Sequence, residues 1–88
     1  MNKSLYAIRD NKVGQYGQPC IFRNHAEATR SFGDIVGDTA NSNNLYAKHP
    51  ADFSICYIGE FNAETGEISS CIPVQVLAVG SDFSTKEF

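Results

Sequence analysis

Arg9, Lys12, Tyr16 and Arg23 gather in the chain around the glycine-rich stretch Gly14-Gln15-Tyr16-Gly17, with Lys3 and Arg30 on either side. Guanidinium and ammonium groups neutralise a phosphate backbone, and a tyrosine ring offers a face on which a base can stack. The stretch lacks the lysine of a phosphate-cradling loop and runs into a strand instead of a helix, so it is not a nucleotide-binding motif. A flexible hairpin connection is the plainer explanation of its glycines. The six residues Lys3, Arg9, Lys12, Tyr16, Arg23 and Arg30 form the candidate nucleic-acid-binding set.

Other chemistries find little support. His25 and His49 are the only imidazoles, and Cys20, Cys56 and Cys71 lack C-x-x-C spacing, so neither a metal site nor a disulfide framework is expected. The thiols look like small buried hydrophobes in a reducing compartment. Nothing activates a particular thiol for nucleophilic work, and the expectation is a protein without cofactor and without enzymatic activity. Phe53, Tyr57 and Phe61 could form a stacking platform, but an aromatic stripe is more often core, and it is assigned there.

These residues must be held by a small scaffold. At 88 residues one core is expected, spanning 1–88 as a single domain with 80–88 a frayed tail from which Phe83 can dock. Leu5-Tyr6-Ala7-Ile8-Arg9 is β-prone and ends in the turn-forming Asp10-Asn11-Lys12. The segment from Val13 to Pro19 is a loop or bulged edge, and Cys20 to Arg23 is a second strand. Asn24 and Glu27 form a capping box, with Glu27 reaching back to the Asn24 amide. Behind it Ala28, Phe32, Ile35 and Val36 make one helical stripe, Arg30 pairs with Glu27 or Asp34, and Gly37 supplies a left-handed cap. Gly33 inside this helix implies close packing.

The asparagine-rich run from Thr39 to Asn44 is read as a mobile loop, and Pro50 stops any helix through His49. Phe53 to Phe61 alternates with period two, one side strongly aromatic, and Asn62 to Gly66 turns the chain back into a strand that Pro73 breaks or bends; Val74 to Val79 can add an edge strand. The fold class is α+β: an antiparallel sheet of four to five strands in ββαββ order, packed against one α-helix.

Net charge is −3 with a pI near 5.1, which counts against a general polyanion binder. The charges are segregated, however. Lys3, Arg9, Lys12, Arg23 and Arg30 meet only Asp10 and Glu27 in residues 1–33, whereas Lys86 meets Asp52, Glu60, Glu64, Glu67, Asp82 and Glu87 in residues 49–88. One face can thus be positive on an acidic molecule. Neither a signal peptide nor an apolar run long enough to span a membrane is apparent.

Several stretches together resemble the small non-structural protein of gokushoviruses, the single-stranded-DNA phages of the Microviridae. They are Leu5-Tyr6-Ala7-Ile8 with Asp10 and Lys12, Tyr16-Gly17-Gln18-Pro19, Asn24 to Phe32, Lys48-His49-Pro50-Ala51-Asp52-Phe53, Tyr57-Ile58-Gly59-Glu60-Phe61 and Thr65-Gly66. The resemblance implies a non-capsid protein of the host bacterial cytoplasm that binds single-stranded DNA and assists genome replication or its switch to packaging. A homodimer is the expected state, since a domain this small buries too little surface to be very stable alone and an interface would help it; pairing would also double a sparse set of cations. The competing expectation is an interaction module that regulates a phage or host replication protein without touching nucleic acid.

Overall fold

A computed structural model describes residues 2–83. Its one long helix, α1 (His25–Gly37), begins where the Asn24 side chain accepts a bond from the Glu27 amide at 2.8 Å. The capping box is modified: Glu27 Oε1 accepts from the Arg23 amide at 2.7 Å rather than from Asn24. Ala28, Phe32 and Val36 are buried, and Ile35 lies at the rim of the stripe. Gly37 is not a left-handed cap. It is the last helical residue, and Asp38, with φ −80°, is the C-cap.

Among the described residues five strands form one antiparallel sheet: β1 (Asn2–Asp10), β2 (Gln15–Tyr16), β3 (Cys20–Phe22), β4 (Phe53–Asn62) and β5 (Ile68–Val79). The path is β2-β1-β4-β5, and β3 also pairs with β1 beyond the end of β2. The architecture is the expected α+β one; β3 is the expected second strand, and the two-residue β2 forms within the segment read as a loop or bulged edge. The strands joined as β4 and β5 turn through Asn62 to Gly66, where Gly66 takes φ +80° and Asn62 Oδ1 accepts from the Glu64 and Thr65 amides.

Pro73 does not divide β5. Gln75 pairs with Tyr57 and Ser70 with Gly59, so residues 71–74 bulge opposite Ile58 while the strand continues. An edge strand absorbs a proline there because its missing N–H has no ladder partner to disappoint.

The Thr39–Asn44 loop is pinned by one side chain. Asn44 Nδ2 donates to the carbonyls of Ile35 and Asp38, and its Oδ1 accepts from the Tyr46 and Ala47 amides, closing α1 and opening the short helix α2 (Leu45–Lys48). Helix α2 ends at His49, and Pro50–Asp52 follows as a 3-10 turn. Gly80–Phe83 is a second 3-10 turn whose Phe83 ring meets Phe32. The rest of the expected tail lies outside the described residues.

The core sits between α1 and one face of the sheet, with Tyr6, Phe32, Val36, Phe53, Ile55 and Ala78 at its centre. Tyr6, whose placement the sequence leaves open, is fully buried. Of the cysteines only Cys56 is buried; Cys20 is exposed and Cys71 intermediate.

Candidate nucleic-acid interface

Cross-strand partners in a sheet share a face. Tyr6, Ile8, Ile55 and Ala78 face α1, so the alternate positions of β1, namely Lys3, Leu5, Ala7 and Arg9, belong to the opposite, helix-free face. Their partners there are Phe61, Gly59, Cys56 and Ser54 on β4, Ile21 on β3 and Tyr16 on β2. The same rows continue on β5 with Ile68, Ser70, Val76 and Val79. A register shift at Ile58 carries Phe61 to the face opposite Tyr57, so the aromatic alternation of β4 is not the single stripe its period of two predicts.

This helix-free face contains no carboxylate among its described strand residues. Asp10 pairs with Phe53, and Glu60 with Ser4, both on the helix side. Glu60 is further engaged there, accepting from Asn2 Nδ2 and from the Tyr57 hydroxyl. The charged groups left on the free face are Lys3 and Arg9, roughly 20 Å apart along β1.

Arg9 is held in place. Its Nη1 donates to Asn11 Oδ1 at 2.8 Å, and Asn11 Nδ2 donates to the buried Ser54 Oγ at 2.7 Å. The guanidinium carbon lies 5.6 Å from the centre of the Tyr16 ring, a cation–π contact worth about 0.5–1 kcal/mol at an exposed site. Lys12 sits in the adjoining turn, where its amide and that of Val13 donate to Asp10 Oδ1. One end of the free face therefore combines Arg9 with an exposed ring, and Lys12 follows in the turn after β1.

The other predicted cations are placed elsewhere. Arg23 is tied to Glu27, with Nε and Nη2 at 3.1 and 3.0 Å from Oε2. The Arg23 amide, with that guanidinium, holds the Glu27 carboxyl below its ordinary range. Arg23 and Lys3 share a surface depression of about 280 Å³ with Glu27. Arg30 is exposed on α1, two residues from the buried stripe, and takes neither Glu27 nor Asp34 as an ion-pair partner among the described residues. The six residues thus divide: Arg9 and Tyr16 are in contact, Lys12 is in the adjoining turn, Lys3 shares the face of Arg9 at a distance, and Arg23 and Arg30 lie beside the helix.

Asn11 and Ser54 support the cluster and carry no sequence signal of that role, because the bond between them joins positions 43 residues apart. Across the sheet, the Tyr6 hydroxyl meets His25 Nδ1 at 2.8 Å within a ring cluster that includes Tyr57. A cleft of about 320 Å³ opens between α1 and β1 over Ile8, Phe22, Phe32, Ile35 and Tyr46. No charged side chain lines it among the described residues, so it supplies no cation to a phosphate.

Comparison with known proteins agrees with the resemblance carried by the motifs. Residues 3–83 match the family described as Phage ORF5 protein, and the chain belongs to that family. A relative, Protein ORF5 of Chlamydia phage 1, a gokushovirus of the Microviridae, is 37% identical over 68 residues, covering 75% of this chain and 70% of that one. No solved structure matches.

Proposed function

We propose that this phage ORF5-family protein binds single-stranded DNA without sequence preference in the cytoplasm of the infected bacterium, assisting replication of the viral genome or its switch to packaging. The observation that carries the proposal is the segregation of charge: a chain of net charge −3 keeps its helix-free face clear of carboxylates among the described strand residues and places Lys3, Arg9 and Tyr16 on it. The centre of that face, at Ala7, Ser54 and Cys56, is buried, but cations and a ring along its margin can follow a flexible strand, the phosphates taken by Arg9, Lys12 and Lys3 and a base stacked on Tyr16. So few cations per chain give weak, salt-sensitive binding, and a homodimer would double them.

Fluorescence anisotropy with a labelled single-stranded oligonucleotide across a salt series tests the proposal. Removing one cation from a phosphate reduces the slope of log affinity against log salt by about 0.7. Arg9→Ala and Lys12→Ala are each expected to lower the slope by that amount. Tyr16→Ala should weaken binding by about 1–3 kcal/mol at little change in slope, and Arg30→Ala should behave as wild type. Absence of binding at low salt would overturn the proposal in favour of a protein partner, and Arg30→Ala matching Arg9→Ala would overturn the site.

A further inference from the structure

Strand β5 is an edge of the sheet, bonded to β4 and to no other strand among the described residues. It is twelve residues long and has no charged side chain from Ile68 to Val79. Natural edge strands are protected by charges, prolines or bulges, and here Pro73 with its bulge separates two halves of different character. In the second half the Val79 amide already donates to Asp82 Oδ2 at 3.0 Å, and the Gly80–Phe83 turn folds back onto α1. The first half is open, with Ile68 68% and Ile72 86% exposed.

The molecule is extended at this end. Helix α1, at 13 residues, is about 20 Å long, whereas β5 reaches about 40 Å, so the sheet outruns its cover. The radius of gyration, 13.8 Å, exceeds the ~12 Å of a compact chain of this length.

We infer that Ile68–Ile72 is where a second copy of this chain adds its own β5, antiparallel, about a two-fold axis at Ser70. Pro73 has no N–H to donate and ends the shared ladder. Within the five residues before it, an axis at Ser70 sets Ile68 against the partner's Ile72 and the same pair again on the other side. The segment is uncharged, so self-pairing meets no like-charge repulsion on an acidic protein. A two-fold axis perpendicular to the sheet keeps both α1 helices on one side, so the two helix-free faces join into one surface. Two exposed isoleucines per copy fall well short of the ~800 Å² of a standard interface, which makes the dimer concentration-dependent. The inference gives a surface to the homodimer included in the proposed function, and its test involves no nucleic acid.

Sedimentation velocity on the full chain, from low to high micromolar concentration, reads it directly. Wild type is expected to shift from monomer toward dimer across the range. Ile72→Lys, at a position too exposed to disturb folding, should weaken association at least tenfold with an unchanged circular dichroism spectrum and melting temperature. Mixing Ile72→Lys with Ile68→Glu should restore association, because the new charges face each other on one side of the axis and the native isoleucines meet on the other. A monomeric wild type, or Ile72→Lys associating as wild type does, would overturn the interface. A mixture no stronger than its components would overturn the register.

Discussion

Phe83 and Phe32 meet edge to face, ring centroids 5.9 Å apart and planes at 86°. The contact runs across Gly33, where an added Cβ would come within 2.9 Å of the Phe83 ring. An alanine at a mid-helix glycine ordinarily gains about 1 kcal/mol. Here it displaces Phe83, and Gly33→Ala is expected to lower stability by about 1 kcal/mol in the wild type yet raise it by about 1 kcal/mol in a Phe83→Ala background. Urea denaturation of the four chains gives the coupling energy. Stabilisation in both backgrounds would show that the ring does not fill that space.

Asn44 joins α1 to α2 through four hydrogen bonds from one side chain. Asn44→Ala removes the acceptor that caps α2 and the donor that satisfies two carbonyls at the end of α1. A cost of about 2 kcal/mol is expected, against about 1 kcal/mol for the single cap removed in Asn24→Ala. Asn44→Asp keeps the acceptor but turns a second oxygen toward the Ile35 and Asp38 carbonyls, so it should not rescue. Thermal melts order the three variants, and an Asp variant as stable as wild type would contradict the donor role.

Gly59 stands where β5 passes closest to β4, and a Cβ there would collide with the Ser69 carbonyl. Backbone cannot swing aside as a flexible side chain does. Gly59→Ala is expected to cost about 2–4 kcal/mol, which in a domain of this size lowers the melting temperature by roughly 4–8 °C per kcal/mol. A cost under about 0.5 kcal/mol, the range of a bland surface substitution, would mean the two strands separate easily at this point.

Burial pushes the phenols of Tyr6 and Tyr57 and the thiol of Cys56 above their ordinary values of 10.0, 10.0 and 9.0. The folded chain keeps these protons where the unfolded chain has released them, so their contribution is complete below pH 9 and is lost as pH rises through 9 and 10 toward the raised values. Urea midpoints measured across the alkaline range should fall, and Tyr6→Phe should flatten the fall. An identical alkaline slope in that variant would remove Tyr6 from the linkage. Glu27 acts in the opposite direction, its share being lost as pH drops below 4.5.

What is legible in the sequence is local. The Asn24–Glu27 spacing announces α1, and Asn62 to Gly66 announces its turn, because each signal and its partner lie within five residues. The end of α1 is not legible, because its carbonyls are satisfied by Asn44, from nine residues beyond Ile35, and a distant amide leaves no mark beside Gly37. Pro73 has the look of a break because the bulge that accommodates it is created by the register with β4. The candidate site is half legible for the same reason. The period of two already places Lys3 and Arg9 on one side of β1, but only the packing of α1 tells which side it covers, and Glu27 takes Arg23, four residues before it, in place of the Arg30 that helical spacing also offers.

The two margins of the sheet are unlike. On one, β5 runs unbroken past its bulge; on the other, β1 is shared between β2 and β3, and the Gly17 amide in the gap is already spent on the Ile8 carbonyl at 2.8 Å. Each molecule has one side long enough to accept a strand and one whose edge strands, β2 and β3, at two and three residues, offer only a short ladder. Strand addition through β5 in the proposed dimer would therefore stop after a single step, closing about its two-fold axis where two long margins would have propagated into a fibre.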